Sequence, residues 1–492
     1  MENLKEKTIR GGVARLAAQG ANFVLRLGSL MILARLLGPR DFGLVGMVTA
    51  FTGILDLFRD FGLSAAAVQR RTVTEEQVST LFWINILVGV VLGLVAVVMA
   101  PAVAHFYHEP RLAAVTTVLG AGFLFNAAGV QHSAMLQRQM RFTALSIIAT
   151  GSLLAGVSIA IVGAIAGYGY WALVAMTVTT PLFATIGFWI AAAWVPTLPH
   201  RQTGIHSMMR FGGAVTLNSL LSYFALNLDK ILLGRFWGAD ALGIYGRAYQ
   251  LVNVPTGNLN VAAGEVAFSA LSRLQDHPSR LRHYFLKGYS LVLAMTIPIT
   301  TACMIFAHDL TLVLLGPKWR SSADIVRLLA PTILVLAIIN PLGWLMTSVG
   351  LVGRNLKVSL VFAPLISAGY VLGLPYGPKG VALGFSAAMV LCAVPLAAYC
   401  VRGTPVSLRD MIETTRRPLA SAIVAGVFGF GVRAACGDFL SPMPRLALEG
   451  SVLVVTFAVM LLFVAGQKSF YVDLFCGLIK RSSVQSEGLT TA

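Results

Sequence analysis

Residues 224–246 read FALNLDKILLGRFWGADALGIYG, an apolar run interrupted by Asn227, Asp229 and Lys230. Upstream, Gln19, Asn22, Arg26 and Ser29 fall within roughly 40° of Arg15 at 100° per residue, a single polar stripe on an otherwise apolar helix. A second stripe holds Thr49, Thr52, Asp56, Arg59 and Asp60. Asn218, Ser222 and Asp229 form a third, and Tyr249, Asn253, Thr256 and Asn260 a fourth. Guanidinium groups bind oxyanions through paired N–H donors, and amides and hydroxyls read sugar hydroxyls. Such a set suits a phosphate or an acidic sugar, with the acids balancing the arginines or accepting a coupling proton. Plainer roles exist for some members: Arg15 can snorkel to a membrane surface, and Arg59 can pair with Asp56 or Asp60. Asp229 and Lys230 project about 100° apart on a helix, so Lys230 is free to reach another helix. Arg26 is the hardest to explain away, since its span contains no carboxylate.

The elements that must position these groups are membrane helices. Of the 492 residues, 57% are hydrophobic and only 12% charged, too apolar a composition for a soluble protein. Windows such as FWINILVGVVLGLVAVVMA (82–100) and SVLVVTFAVMLLFVAG (451–466) are long enough to cross about 30 Å of hydrocarbon. Barrel strands would instead alternate polar and apolar residues. About fourteen spans are expected, near 13–37, 42–66, 82–104, 112–131, 142–166, 169–194, 211–234, 240–264, 284–307, 323–346, 356–374, 379–401, 418–436 and 448–466. Short connections leave no room for a catalytic ectodomain, which argues against a membrane polymerase or ligase.

The net charge of +17, from 37 Lys and Arg against 20 Asp and Glu, raises the question of nucleic acid. The bases concentrate on one set of loops, including Arg70, Arg71, Arg138, Arg141, Arg280, Arg282, Arg416 and Arg417. That asymmetry is the positive-inside pattern and places both termini in the cytoplasm; anionic lipid accounts for the rest of the basic excess. The charged start, MENLKEKTIRGG, lacks the apolar core of a cleaved signal peptide. Five scattered cysteines imply neither a disulfide framework nor a metal site. His105 and His108, in HFYHEP, read as an interfacial loop, and no cofactor motif is evident.

The chain repeats itself. LARLLGPRDFGLVG (33–46) and LGRFWGADALGIYG (233–246) align at an offset of 200 through Leu33/Leu233, Arg35/Arg235, Gly38/Gly238, Gly43/Gly243 and Gly46/Gly246. Six spans, an even number, separate the copies, so both have one orientation: a parallel repeat about the bilayer normal. A charge at mid-bilayer is expensive unless it faces a bundle interior or a watery cavity. Corresponding helices of both halves are striped, so a polar cavity between the halves is expected, lined by spans 1, 2, 7 and 8. Pro181, Pro298, Pro364, Pro395 and a break at PTGN (255–258) predict bent helices.

The motif LNLDKILLGRFWGADALGIYGRAYQL (226–251), its weaker copy ARLLGPRDFGLVG and VLLGPKW (313–319) resemble the Wzx-type polysaccharide-transport flippases of the multidrug/oligosaccharidyl-lipid/polysaccharide exporter superfamily, over nearly the whole chain. The resemblance implies an all-α polytopic protein with two pseudo-symmetric six-helix bundles, 1–200 and 201–402, around a central V-shaped cavity. Residues 403–492 would add a linker, two extra helices and a cytoplasmic tail. It further implies a bacterial inner-membrane protein that moves polyprenyl-diphosphate-linked oligosaccharide by alternating access, with a proton or sodium ion as a coupling candidate and a polysaccharide polymerase and export machinery as candidate partners. Alternatives within the superfamily are a multidrug or small-cation exporter and a lipid II flippase. The expected substrate-cavity residues are Arg15, Asn22, Arg26, Asp56, Arg59, Asp60, Asn218, Asp229, Lys230 and Asn253. Arg235 and Tyr245, also in the motif, read as structural.

Overall fold

A computed structural model describes residues 2–59, 74–198, 206–436, 439–464 and 466–467. Among the described residues there is helix and connection, without strand. In chain order the helices are α1 (Glu2–Leu36), α2 (Pro39–Asp56), α3 (Glu75–Tyr107), α4 (Arg111–Arg138), α5 (Phe142–Ile165), α6 (Tyr170–Ala192) and α7 (His206–Ser272). There follow α8 (Pro278–Ile305), the short α9 (Ala307–Leu314), α10 (Ser322–Ser348), α11 (Val352–Gly373), α12 (Gly377–Val401), α13 (Leu408–Cys436) and α14 (Pro442–Val459). Nine helical segments among the described residues are long and apolar enough to cross a bilayer, and the chain is a multi-pass membrane protein.

Local chemistry sets the helix limits. Gly38 precedes Pro39 at the start of α2, and Asp41 Oδ2 accepts from the Gly38 N–H at 2.9 Å, an arrangement in which a carboxylate satisfies a donor the helix leaves orphaned. At α3 the cap is reciprocal: Thr74 Oγ1 accepts from Gln77 N at 3.3 Å, and Thr74 N donates to Gln77 Oε1 at 3.2 Å. The 67 residues of α7 would span about 100 Å if straight, over three times the hydrocarbon thickness. The chain turns at Gly238, with φ +80° and ψ −176°, a conformation open essentially to glycine alone. Its repeat mate Gly38, also extended in ψ at 168°, separates α1 from α2, so the chain breaks at the same place in both copies. The PTGN stretch does not interrupt the helix: Pro255 lies within the second arm of α7, as membrane helices tolerate when neighbours satisfy the freed carbonyl. Pro181, Pro298, Pro364 and Pro395 likewise lie inside helices.

Contacts divide the chain into two compact units. The first comprises Met1–Val254, Leu314–Ile325 and Ser359–Phe385. Within it α3 packs on α4, α4 and α5 on α6, and α1 on α5. Small residues let the backbones approach: a Cβ on Gly89 of α3 would stand 2.5 Å from the Ala127 methyl of α4, the small-residue packing that replaces hydrophobic drive in lipid. The second unit comprises Pro255–Val313, Val326–Val358 and Ser386–Ala492, in which α13 packs on α8 and α14. A bidentate Arg282–Asp410 pair, at 2.8 and 2.5 Å, clamps the start of α13 to α8.

Candidate substrate cavity

The second-half acid is built into a polar knot in the first unit. Asp229 is wholly buried, a position a carboxylate keeps only when hydrogen-bonded. Tyr245, on the other arm of α7, donates its hydroxyl to Asp229 Oδ2 at 2.8 Å, and the Lys230 backbone N–H donates to Oδ1 at 2.8 Å. The Lys230 ammonium turns away from the acid. It donates to Asn227 Oδ1 at 2.6 Å and lies 5.1 Å over the Tyr249 ring, whose hydroxyl hydrogen-bonds Asn253. Asp229, Lys230 and Asn253 are therefore gathered by two tyrosines across the Gly238 turn.

On α2 and just past its end, Arg59 pairs with Asp56 at 3.1 Å. Its Nε is shielded from solvent and makes no hydrogen bond. Arg59 faces a cavity of about 210 Å³ whose polar lining comes from Asn126, Ser133 and Gln137 of α4 and Thr185 of α6. Tyr223 ties the two halves of the site: its hydroxyl donates to the Ala50 carbonyl at 3.0 Å and lies in electrostatic reach of Asp56 and Asp229. Only glycine at position 53 admits it, since a Cβ there would fall 2.0 Å from the Tyr223 oxygen.

Asn22 is half-buried with its Oδ1 shielded and unsatisfied, and Arg26 one turn on is exposed. Neither is brought against the Asp229 knot by a hydrogen bond or ion pair among the described residues. Asp60 and the side chains of Arg15 and Asn218 lie outside the described residues.

A second cavity, also about 210 Å³, is lined by Ser29, Thr49, Thr177, Arg247 and Gln250 among apolar neighbours. The expected set did not include Arg247, Gln250, Asn126, Gln137, Tyr223 or Tyr245. Three of them, Tyr245, Arg247 and Gln250, stand in the GIYGRAYQ part of the repeat motif. Both cavities thus present an arginine with hydroxyls and amides, the donor set for an oxyanion carrying sugars.

Comparison with known proteins fits this chemistry. Lipopolysaccharide biosynthesis protein WzxC of Escherichia coli K12 is 29% identical over 398 residues, covering 78% of each chain. Teichuronic acid biosynthesis protein TuaB of Bacillus subtilis is 26% identical over 418 residues, covering 79% of this chain and 82% of TuaB. Succinoglycan biosynthesis transport protein ExoT of Rhizobium meliloti is 23% identical over 328 residues, 67% of this chain and 66% of ExoT. Among solved structures, lipid II flippase MurJ in an inward closed conformation superposes with a TM-score of 0.71 at 14% identity, covering 95% of this chain and all of MurJ. An inward-facing multidrug resistance MATE transporter gives 0.62 at 14% identity, over 82% of this chain and 99% of its own. These likenesses establish a shared fold. The profile described as polysaccharide biosynthesis protein matches residues 32–324, well over half the chain, and the protein belongs to that family, whose Wzx-type flippases its motifs resemble.

Proposed function

We propose that the protein is a flippase, not an enzyme, moving polyprenyl-diphosphate-linked oligosaccharide repeat units across the bacterial inner membrane for exopolysaccharide, capsule or O-antigen synthesis. The observation that carries this is the placing of an arginine beside amides and hydroxyls in each of two cavities, Arg59 with Asn126 and Gln137, and Arg247 with Gln250, in a chain of the polysaccharide biosynthesis family. A diphosphate headgroup and its sugars need such lining, while the polyprenyl tail stays in lipid. Transport proceeds by alternating access.

Two six-helix halves, 1–200 and 201–402, followed by an appended pair, give fourteen spans with both termini cytoplasmic. The matching breaks at Gly38 and Gly238 support that count, because they divide each half's first stretch into two crossings. Asp229 is the candidate for coupling to a proton or sodium ion, and a polysaccharide polymerase is the candidate partner. Arg15, Asn22, Arg26, Asp60 and Asn218 complete the proposed path.

The test is transbilayer movement of a polyprenyl-diphosphate oligosaccharide in proteoliposomes, wild type against Arg26→Gln. Movement that collapses in the variant supports the reading. Movement of lipid II alone would make the protein a cell-wall precursor flippase, and uptake of a lipophilic cation with no lipid movement would make it a drug exporter.

A further inference from the structure

The last turns of α10 carry a face that is polar without being charged. Asn340, Trp344 and Thr347 stand at i, i+4 and i+7, a spacing that puts them in one row along the helix. They line a cavity of about 340 Å³ within the second unit, whose other walls include Val358 of α11 and Cys400 of α12. Pockets for small molecules typically hold about 300–1,000 Å³, so a compact ligand fits. Gly343 also lines the space, and nothing lies within 4 Å of where its Cβ would stand; the absent side chain is part of the room. Trp344 is held from behind: a Cβ on Gly264 of α7 would fall 2.8 Å from the indole Nε1, so a residue without a side chain is what lets the ring lie against that helix.

The polar groups of the row are available to a ligand. Among the described residues neither the Asn340 amide nor the Trp344 indole N–H forms a hydrogen bond, and neither is shielded from solvent. Thr347 donates to the Gly343 carbonyl at 2.8 Å and keeps its lone pairs. No acid and no base lines the cavity. Arg354, at its edge, donates to the Cys400 and Arg402 carbonyls and lies 5.7 Å over the Tyr399 ring, so its guanidinium is already committed.

This lining selects by chemistry. An oxyanion finds no cation there, and a metal ion finds no carboxylate. An aliphatic chain would strand the amide and the indole N–H, at about 1–3 kcal/mol for each buried group left unpaired. A lipophilic cation would gain the ring face but no countercharge. A neutral pyranose suits every member: its C–H face carries weakly positive hydrogens that the electron-rich indole face attracts, and its rim of hydroxyls donates and accepts as an amide does. In the proposed topology the tenth span ends in the cytoplasm. The start of α11 and the end of α12 carry Arg354, Lys357 and Arg402, bases of the kind that mark that side.

We propose that this cavity is a neutral-sugar subsite, with Trp344 as the stacking platform, Asn340 as the reader of hydroxyls and Gly343 as the space for the ring. As a station for one sugar of the lipid-linked cargo it rests on the flippase reading, whereas the preference for an uncharged pyranose rests on the cavity alone.

Methyl glycosides of glucose, galactose, mannose and N-acetylglucosamine, titrated against the full-length protein in lipid nanodiscs and followed by saturation-transfer difference NMR, test it. Wild type is expected to bind at least one of them saturably, with transfer strongest to the C–H protons of one ring face. Trp344→Leu should weaken that binding by roughly tenfold, as loss of an aromatic platform does, and Asn340→Ala by about fivefold, as loss of neutral hydrogen bonds does. Lys379→Ala, which removes an exposed partner of Asp324, should bind as wild type. Gly343→Leu should abolish binding by filling the space. Because its Cβ meets no neighbour, it decides alone if Trp344→Leu fails to fold: lost binding supports the proposal and unchanged binding ends it. Absence of saturable binding for every glycoside overturns the subsite, as does equal affinity in wild type and the cavity variants. Trp344-dependent binding of tetraphenylphosphonium with no glycoside bound would make this a cation pocket and overturn it too. Trp344-dependent glycoside binding by a protein that moves no lipid-linked sugar would keep the subsite and discard the flippase. Lipid-linked sugar movement unaffected in Trp344→Leu and Gly343→Leu, with no glycoside bound by wild type, would do the reverse.

Discussion

Gly43 and Gly243 pack reciprocally. A Cβ on Gly43 would fall 1.7 Å from the Ala239 carbonyl oxygen, and one on Gly243 would fall 1.9 Å from the Pro39 carbonyl oxygen. Positions 39 and 239 are repeat mates, as are 43 and 243, so each copy offers the same glycine to the same backbone of the other. This is the self-complementary logic of a two-fold interface, written within one chain. The surrounding contacts repeat the exchange: Trp319 bonds the Ala34 carbonyl, while Tyr107 lies against Gly234, the repeat mate of Ala34.

Alanine at either position must therefore push two backbones apart. Gly43→Ala and Gly243→Ala are each expected to destabilise this packing by about 1–3 kcal/mol, as overpacking does. Gly46→Ala, whose Cβ meets only the Leu242 side chain at 3.5 Å, and Gly246→Ala, with open space around it, should melt as wild type. Thermal unfolding in detergent distinguishes the pairs. Four indistinguishable melting curves would show that these helices do not meet this way in the membrane.

Tyr245 is the hydroxyl donor that Asp229 Oδ2 depends on. Tyr245→Phe leaves a buried carboxylate oxygen without that donor, a loss of about 1–3 kcal/mol. Asp229→Asn in the Tyr245→Phe background should cost much less than it does alone, because the charge that needed the hydroxyl is gone. Additive losses across this double-mutant cycle would mean that the two residues do not act together. In flux assays Asp229→Asn should also make transport indifferent to an imposed proton or sodium gradient, and retained dependence would remove Asp229 from coupling.

The sequence pattern carried the helical membrane architecture, the repeat and the Gly38/Gly238 breaks, because hydrophobic length and glycine placement are local properties. It placed Asp229 among polar neighbours but not against Tyr245, sixteen residues away on the other side of the Gly238 turn, because a turn read from sequence does not say which side chains of its two arms meet. Arg247 escaped for a related reason. It lies about 120° around the helix axis from Asn253 at 100° per residue, off the polar stripe, and its cavity draws hydroxyls from helices that no single-helix projection can bring together. The PTGN stretch misled in the opposite direction: a proline with polar flanks reads as a break, whereas a membrane helix continues through it.

The last two helices, α13 and α14, carry a charged cluster in the second unit. Arg445 of α14 pairs with Asp309 of α9, which is wholly buried, and Arg433 of α13 donates to the Ile305 carbonyl at the end of α8. Glu449, one turn beyond Arg445, is wholly buried with both carboxylate oxygens lacking a hydrogen-bond donor. The two acids do not stand alike. Removing one member of a buried hydrogen-bonded pair strands the other charge, so Arg445→Met should destabilise by about 3–5 kcal/mol, and the double variant Arg445→Met/Asp309→Leu should recover most of that loss. Glu449 has no bond to lose, and Glu449→Gln removes a charge from a site that does not solvate it; its melting temperature should equal or exceed that of wild type. Thermal unfolding of the four proteins checks both halves. A strongly destabilised Glu449→Gln would show that Arg433 and Arg445 hold Glu449 as tightly as Asp309, and a double variant no better than Arg445→Met would show that packing by the arginine stem, rather than its charge, joins α14 to α9.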